Sequence, residues 1–209
     1  MEWRVTQAGG EQTSDLSPLL RAARAGDAHA WRELVSRYSR RIYALAKSRC
    51  RDSDVSEEIT QSVFATMAAK IGGGEYEEQG KFESWLFRVA MNRVRDHVRR
   101  MKRTPGAVEG HESELIAEEA RDQQASDASL VRLRRAMMEL SEADREIIEL
   151  RHHGGMSFKQ MADLLEEPLG TLLARHHRAL RKLKELMGEA TDEGEASEAA
   201  ESAERPGAA

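Results

Sequence analysis

Two stretches of the chain place residue types where they could do chemistry on nucleic acid. The first, residues 80–103, reads GKFESWLFRVAMNRVRDHVRRMKR and holds eight Lys or Arg against two acids, Glu83 and Asp96. This local +6 sits in a chain whose formal net charge is −5. Guanidinium groups interleaved with Asn92 and aromatic rings suit a phosphate backbone and unstacked bases. Charge alone favours a merely solvated helix face. The second stretch, residues 171–184, carries five Lys or Arg and no acid. Thr171, Ala174, Arg175 and Arg178 fall near one face of a helix there. An Arg can bridge two acceptors on guanine or hold a phosphate, and a Thr can do either.

Other constellations carry less. His152-His153 and His176-His177 are adjacent pairs. Neighbours on a helix point about 100° apart, so neither pair chelates a metal by itself. His176 falls on an apolar stripe and reads as a core histidine. Cys50 is the only cysteine, which excludes an internal disulfide and a cysteine-cluster metal site. Between Arg49 and Arg51 it is either a reactive thiolate or, on the preferred reading, an inert small thiol. Neither a Gly-rich phosphate loop, a Ser-His-Asp set nor a supported carboxylate pair is present. No catalytic residue, cofactor or metal is therefore expected, and the chain does not read as an enzyme.

The elements that must position the basic stretches are helical. Of 209 residues, 40% are hydrophobic, 33% charged and only 5% aromatic, with four prolines. Leu, Ala, Glu and Arg dominate, and an all-α protein follows. No stretch approaches the roughly 20 apolar residues of a membrane span, and residues 1–14 lack the apolar core of a signal peptide. The expectation is a soluble, cytoplasmic protein without membrane insertion.

Residues 1–14 read as disordered. Asp15 or Ser17 can cap a short helix with Pro18 in its first turn. Asp27 caps a longer helix to about Cys50, with Trp31, Leu34, Val35, Tyr38, Ile42 and Leu45 as its apolar stripe. Ser53 or Asp54 opens the next, where Ile59, Val63, Met67 and Ile71 repeat every fourth residue. Asp54, Glu57, Glu58 and Gln61 share its polar flank. Gly72-Gly73-Gly74 ends that helix. In the basic helix that follows, Phe82, Trp85, Leu86, Val89, Ala90 and Val94 form the inward stripe. These helices are expected to bury one another's stripes as a domain over residues 15–103.

Residues 104–128 read as a flexible linker: between 105 and 127 there are seven acids and one Arg. Fully extended, such a segment of 23 residues spans up to roughly 80 Å. A second domain is expected over residues 129–187. Ser141 caps one helix with Asp144 at its third position, and Ser157 with Gln160 forms a capping box for a short one. After Pro168 a long helix follows, with Leu172, Ala179, Leu180, Leu183 and Met187 inward. A short capped helix, a tight turn and a longer basic helix make a helix-turn-helix arrangement, although many such hairpins bind nothing. Residues 188–209, again seven acids and one Arg, read as a disordered acidic tail.

Taken together, these blocks resemble a known family. DVSEEITQSVF from residue 54 and KFESWLFRVAMNRVRD from residue 81 resemble region two of a bacterial RNA polymerase sigma factor. LSEADREIIEL from residue 140, MSFKQMA from 156 and GTLLAR from 170 resemble its region four. Two such domains joined by a single linker are similar to the extracytoplasmic-function group. The resemblance implies that Asp54, Glu57, Glu58 and Gln61 dock on the clamp helices of the polymerase largest subunit, with region four near the flap. It implies that the loop over residues 72–80, with Tyr76 as a stacking residue, captures a flipped base of the minus-ten element. Arg88, Asn92, Arg93, Arg95 and Arg99 would line the melted strand. Thr171, Leu173, Ala174, Arg175 and Arg178 would read the minus-thirty-five element. At Leu173-Ala174 the family usually has Lys-Ser, so apolar contact with a thymine methyl becomes available there unless Leu173 turns inward. The acidic linker would thread through the polymerase, and an anti-sigma protein is an expected further partner. Two other readings stay open on sequence: a stand-alone helix-turn-helix regulator, and a sigma-like protein that only binds polymerase.

Overall fold

The computed structural model describes residues 16–103 and 128–188; the expectations for the N-terminal segment, most of the linker and the acidic tail lie outside these residues. Every regular element among the described residues is a helix. In chain order they are α1 (Ser17–Arg24), α2 (Ala28–Cys50), α3 (Ser53–Gly72) and α4 (Phe82–Arg103), then α5 (Ala128–Met138), α6 (Glu142–His152), α7 (Phe158–Leu165) and α8 (Leu169–Leu186). None of them is long and apolar enough to cross a membrane.

Local chemistry sets the helix ends. The Asp27 carboxylate accepts from the backbone N–H groups of His29, at 2.7 Å, and Ala30. Two of the four donors that every helix start leaves unpaired are thereby met. At α3 the cap is Asp52, which accepts from Val55 N–H at 3.0 Å; it stands one residue ahead of the nearer expected cap. Ser141 caps α6, and Ser157 with Gln160 closes the full capping box of α7, as the sequence predicts. At α1 the N-cap position is Leu16, which makes no side-chain cap, and Pro18 in the first turn supplies a preset φ; the expectation for Asp15 lies outside the described residues.

α1 to α4 pack on one another through the stripes the periodicity marks out. Leu34, Tyr38, Ile42 and Leu45 of α2 are fully buried, as are Val63 and Met67 of α3 and Leu86 of α4. Two stripe-edge residues differ from expectation. Val35 is 41% exposed and Leu180 of α8 is 40% exposed. Each sits about 100° round from a buried neighbour, Leu34 or Ala179, which already fills the inward position.

The larger departure is in α4. Phe87 and Met91 are also fully buried, and Ser84 nearly so, on a side of the helix the stripe does not include. That side meets the C-terminal helices, because α7 packs along α4 and α6 touches α2. One apolar core runs from Leu34 and Phe82 through Ile147, Leu150, Met156, Met161 and Leu164 to Leu172. A second, smaller cluster of Ala136, Leu140, Ile148, Ala179 and Leu183 holds α5, α6 and α8 together. The two halves share a core.

Candidate nucleic-acid interface

α3 presents its polar flank outward. Ile59, Val63, Met67 and Ile71 are buried on the opposite side, so Asp54, Glu57, Glu58 and Gln61 are all held exposed. The row sits on a helix whose other side is buried, so its backbone would lose little entropy if a partner met it there.

α4 divides its arginines between two faces. Asn92, Arg93 and Arg99 are exposed. A groove of about 500 Å³ between α3 and α4 is lined by Arg93, Arg99, Arg100 and Arg103, and by Glu58, Ser62, Asp96 and His97. Part of the expected polymerase strip and part of the expected DNA strip thus meet along one groove. Arg93 also donates to Thr66 Oγ1 at 3.4 Å. Arg88 and Arg95 face the C-terminal half instead. Arg88 donates to the backbone carbonyls of Asp163, at 2.9 Å, and Leu164, at 3.0 Å, and pairs with Glu166 at 3.1 Å. Arg95 pairs with Glu146. Lys81 adds an ion pair to Asp163 at 2.8 Å.

Tyr76, the expected stacking residue, is half-buried. Its ring lies 4.7 Å from Trp85 and 5.6 Å edge-on from Phe82, centroid to centroid. Its hydroxyl donates to Glu78 at 2.7 Å. Burial and Glu78 push its ionisation well above the ordinary range, so it remains a neutral phenol. A base would stack on it only after the loop moves.

On α8, Leu172, Ala179 and Leu183 point inward. Thr171, Leu173, Ala174 and Arg178 are exposed, with Leu173 at 38%. Leu173 is therefore on the outward face, where a thymine methyl could meet it. Arg175 is half-buried and held by Glu167 of the preceding turn at 2.7 Å. The turn itself, Glu166 to Pro168, is three residues long and places Glu166 in the left-handed region at φ 58°.

Two polar clusters were not legible from sequence. Arg41 of α2 pairs with Glu83 at 2.9 Å, donates to Gly154 O at 2.8 Å, and lies 4.9 Å over the Phe87 ring. Glu83 also accepts from Tyr38 at 3.0 Å and from Gln160 of α7. Nearby, Arg49 pairs with Glu149, whose side chain is 1% exposed, and with Glu142. The signal that could have found them is an acid inside an apolar run, Glu149 between Ile148 and Leu150. Such an acid must meet a cation when the run is buried. Burial pushes the Glu149 carboxyl up to about 7, with Arg49 and Arg145 opposing. Burial likewise lifts the Cys50 thiol to about 11 despite Arg49, so it is a thiol and not a thiolate. His176 is pushed down to about 4 by burial and then by His152 and Arg151. It stacks on His152 and meets Phe158 edge-on. Among the described residues no group of His, Cys, Asp and Glu could hold a metal.

A four-helix unit bearing an acidic strip and a basic helix, followed by a helix-turn-helix unit, defines a promoter-binding class of protein. Comparison with known proteins agrees. The sigma-70 region 2 family matches residues 34–104, and the sigma-70 region 4 family matches residues 130–183. The ECF RNA polymerase sigma factor SigK of Mycolicibacterium vanbaalenii is 29% identical over 180 residues, covering 84% of this chain and 91% of that protein. The RNA polymerase sigma factor CarQ of Myxococcus xanthus is 29% identical over 167 residues, covering 79% and 94%. Among solved structures, CnrH in complex with the cytosolic domain of CnrY aligns with a TM-score of 0.61 at 22% identity, over 83% of this chain and 97% of that one. RpoE in complex with the anti-sigma factor NepR from Bartonella quintana aligns at 0.55 and 20%, over 77% and 97%. These two likenesses bear on the fold alone. The chain belongs to the sigma-70 family, in its ECF group. Its function is that of a sigma factor, promoter recognition for RNA polymerase.

Proposed function

We propose that the acidic strip of α3 docks on the clamp helices of the polymerase largest subunit, and that α4 and α8 divide the promoter between them. Asn92, Arg93 and Arg99 on the exposed side of α4, joined by Arg88 and Arg95, hold the melted strand at the minus-ten element. Thr171, Leu173, Ala174 and Arg178 enter the major groove at minus thirty-five, with Arg175 released from Glu167. The observation that carries this reading is geometric. Asp54, Glu57, Glu58 and Gln61 form one exposed row on α3, and the arginine-lined groove lies directly beside it. A sigma factor needs those two surfaces side by side, because the strand melts where the subunit is docked.

The promoter elements lie about two helical turns apart, roughly 70 Å along the duplex. The segment between the domains, 23 residues from 105 to 127, is long enough to span that distance. The chain would act in the cytoplasm, without a catalytic centre of its own. CnrH and RpoE are each seen with a protein that binds them, and by analogy an anti-sigma protein is proposed for this chain.

Run-off transcription with purified core polymerase over a genomic promoter library tests the assignment. The wild-type protein should yield transcripts that core polymerase alone does not. Replacing Glu57, Glu58 and Gln61 together by Ala should abolish them while leaving the fold intact. Absence of any added transcript would overturn the reading, and tight binding to duplex DNA without polymerase would favour a stand-alone regulator.

A further inference from the structure

The exposed side of α8 carries more cations than the reading of the minus-thirty-five element uses. We propose that the acidic segment of residues 189–209 folds back onto this side of α8 in the free protein and competes there with duplex DNA. The inference rests on the assignment of α8 to promoter DNA and adds a regulator to that surface.

The receiving surface is built into the helix. Thr171, Ala174, Arg178, Arg181 and Lys182 follow one another at helical spacing, so they share one side, away from Leu172 and Leu183. All five are exposed, and so is Lys184 beside them. Beyond Arg178 the row continues as a cationic track toward the end of the helix. Glu185 is the only acid of α8. It meets Arg181 at 4.0 Å, with both side chains more than two-thirds exposed. A pair so long and so wet is weak and yields to a better partner. Lys182 donates to the Glu139 carbonyl at 2.9 Å, which uses one of its three donors.

The chain supplies an occupant of matching charge. Residues 189–209 hold seven acids and one Arg, and otherwise only Ala, Gly, Ser, Thr and Pro. With no large apolar side chain, charge is the segment's means of binding. Its point of departure is fixed. Met187 N–H donates to Leu183 O at 3.0 Å, and Gly188 N–H donates to Glu185 O at 3.1 Å with φ at 72°. A left-handed residue here closes the last turn and takes the chain off the helix axis. The unpaired carbonyls of the helix end repel carboxylates placed straight ahead, whereas the cations behind attract them.

Reach and concentration favour the same site. Arg178 lies ten residues before Gly188, about 15 Å along the axis. The 21 residues that follow Gly188 span up to roughly 70 Å when extended. A tether of this kind sets an effective concentration on the order of millimolar. Carboxylates on Arg178 and its neighbours take the donors that phosphates would take. Duplex DNA must displace them, so the free protein binds it more weakly than the bare helix would.

The test neutralises the seven acids of residues 189–209 in the full-length chain, Glu to Gln and Asp to Asn. Its charge-matched control neutralises the seven acids between residues 105 and 127 instead. Amide spectra of the free proteins come first. The tail variant should shift Arg178, Arg181 and Lys182 relative to wild type, and unshifted α8 amides would overturn the inference. That measurement uses no DNA, so it decides the inference even if α8 reads no promoter. Shifts that vanish on dilution would assign the segment to a second copy and overturn it as well. Anisotropy with a fluorescent duplex of about 20 base pairs at low salt follows. The tail variant should bind about fivefold tighter, because apparent affinity scales with the unmasked fraction. An equal gain in the linker control would mean that net charge alone is at work, against the inference. With Arg181→Gln and Lys182→Gln added to both backgrounds, the gain should shrink to about twofold or less. An undiminished gain there would place the segment elsewhere. A tail without effect beside normal run-off transcription would leave the sigma-factor reading standing. Loss of wild-type transcription would remove that reading separately.

Discussion

α4 and α8 are both basic helices of similar length, 22 and 18 residues, and both are assigned to promoter DNA, yet the chain holds them in different ways. α8 buries a single narrow stripe of Leu172, Ala179 and Leu183 and leaves the rest of its surface to solvent. α4 is buried on two sides, by α2 and α3 on one and by α7 on another. Its arginines are accordingly split between an open groove and an internal contact. A helix with one buried stripe keeps most of its surface for a partner. A helix with two has less surface left to offer.

The predictions that test this contrast run from the core outward. Phe82→Ala on α4 removes a ring packed against Tyr38, Tyr76 and Trp85 and should cost about 3–5 kcal/mol in urea unfolding. Leu183→Ala on α8 opens a hole in the smaller cluster and should cost about 2–3 kcal/mol. Equal losses would mean that the two helices are equally embedded, and the contrast would fail.

Next comes pH. The raised Glu149 means that the folded chain holds a proton, between the ordinary 4.5 and about 7, which the unfolded chain has released. Its contribution is fully present below 4.5 and is lost as pH rises through about 7. The charged and titratable groups facing it are Arg49 and Cys50 of α2 and Glu142 and Arg145 of α6. Unfolding free energy should fall by up to ~3 kcal/mol from pH 5 to pH 8. Glu149→Gln should flatten the profile. An unchanged slope in that variant would assign the dependence to other groups.

A smaller effect separates the two DNA faces directly. Arg178→Ala on α8 should weaken binding of free protein to duplex promoter DNA by about 1–2 kcal/mol, read by anisotropy titration. Arg95→Ala on α4 should leave that duplex affinity nearly unchanged, since Arg95 is paired with Glu146. Smallest of all, Ser157→Ala removes the α7 cap and should lower stability by about 1 kcal/mol.

How much of this was legible depends on whether the cause was local. The Asp27, Ser141 and Ser157 caps were readable because each side chain bonds within three residues of itself. The inward faces of α2 and α3 were readable because periodicity marks one stripe per helix. Phe87, Met91 and Ser84 were not, since what buries them comes from residues some 70 positions further along the chain, as the Ser84 bond to Gln160 shows. The same limit explains Arg88 and Arg95. Their type announces an anion partner, but nothing nearby in sequence says that the chain supplies one itself. Leu180 misled for the opposite reason, being apolar beside a position that Ala179 already fills.

The left-handed Glu166 at the head of the turn bears on how this protein could vary. A residue with a side chain at φ 58° carries a local backbone cost of about 1 kcal/mol that glycine would not. Glycine there would relax the turn and strip Arg88 of its carboxylate in one change. Module robustness and interdomain grip are thus set against each other at a single codon. Selection for a hardier helix-turn-helix would loosen the contact between α4 and α7 as a by-product, and selection for that contact would keep a strained turn.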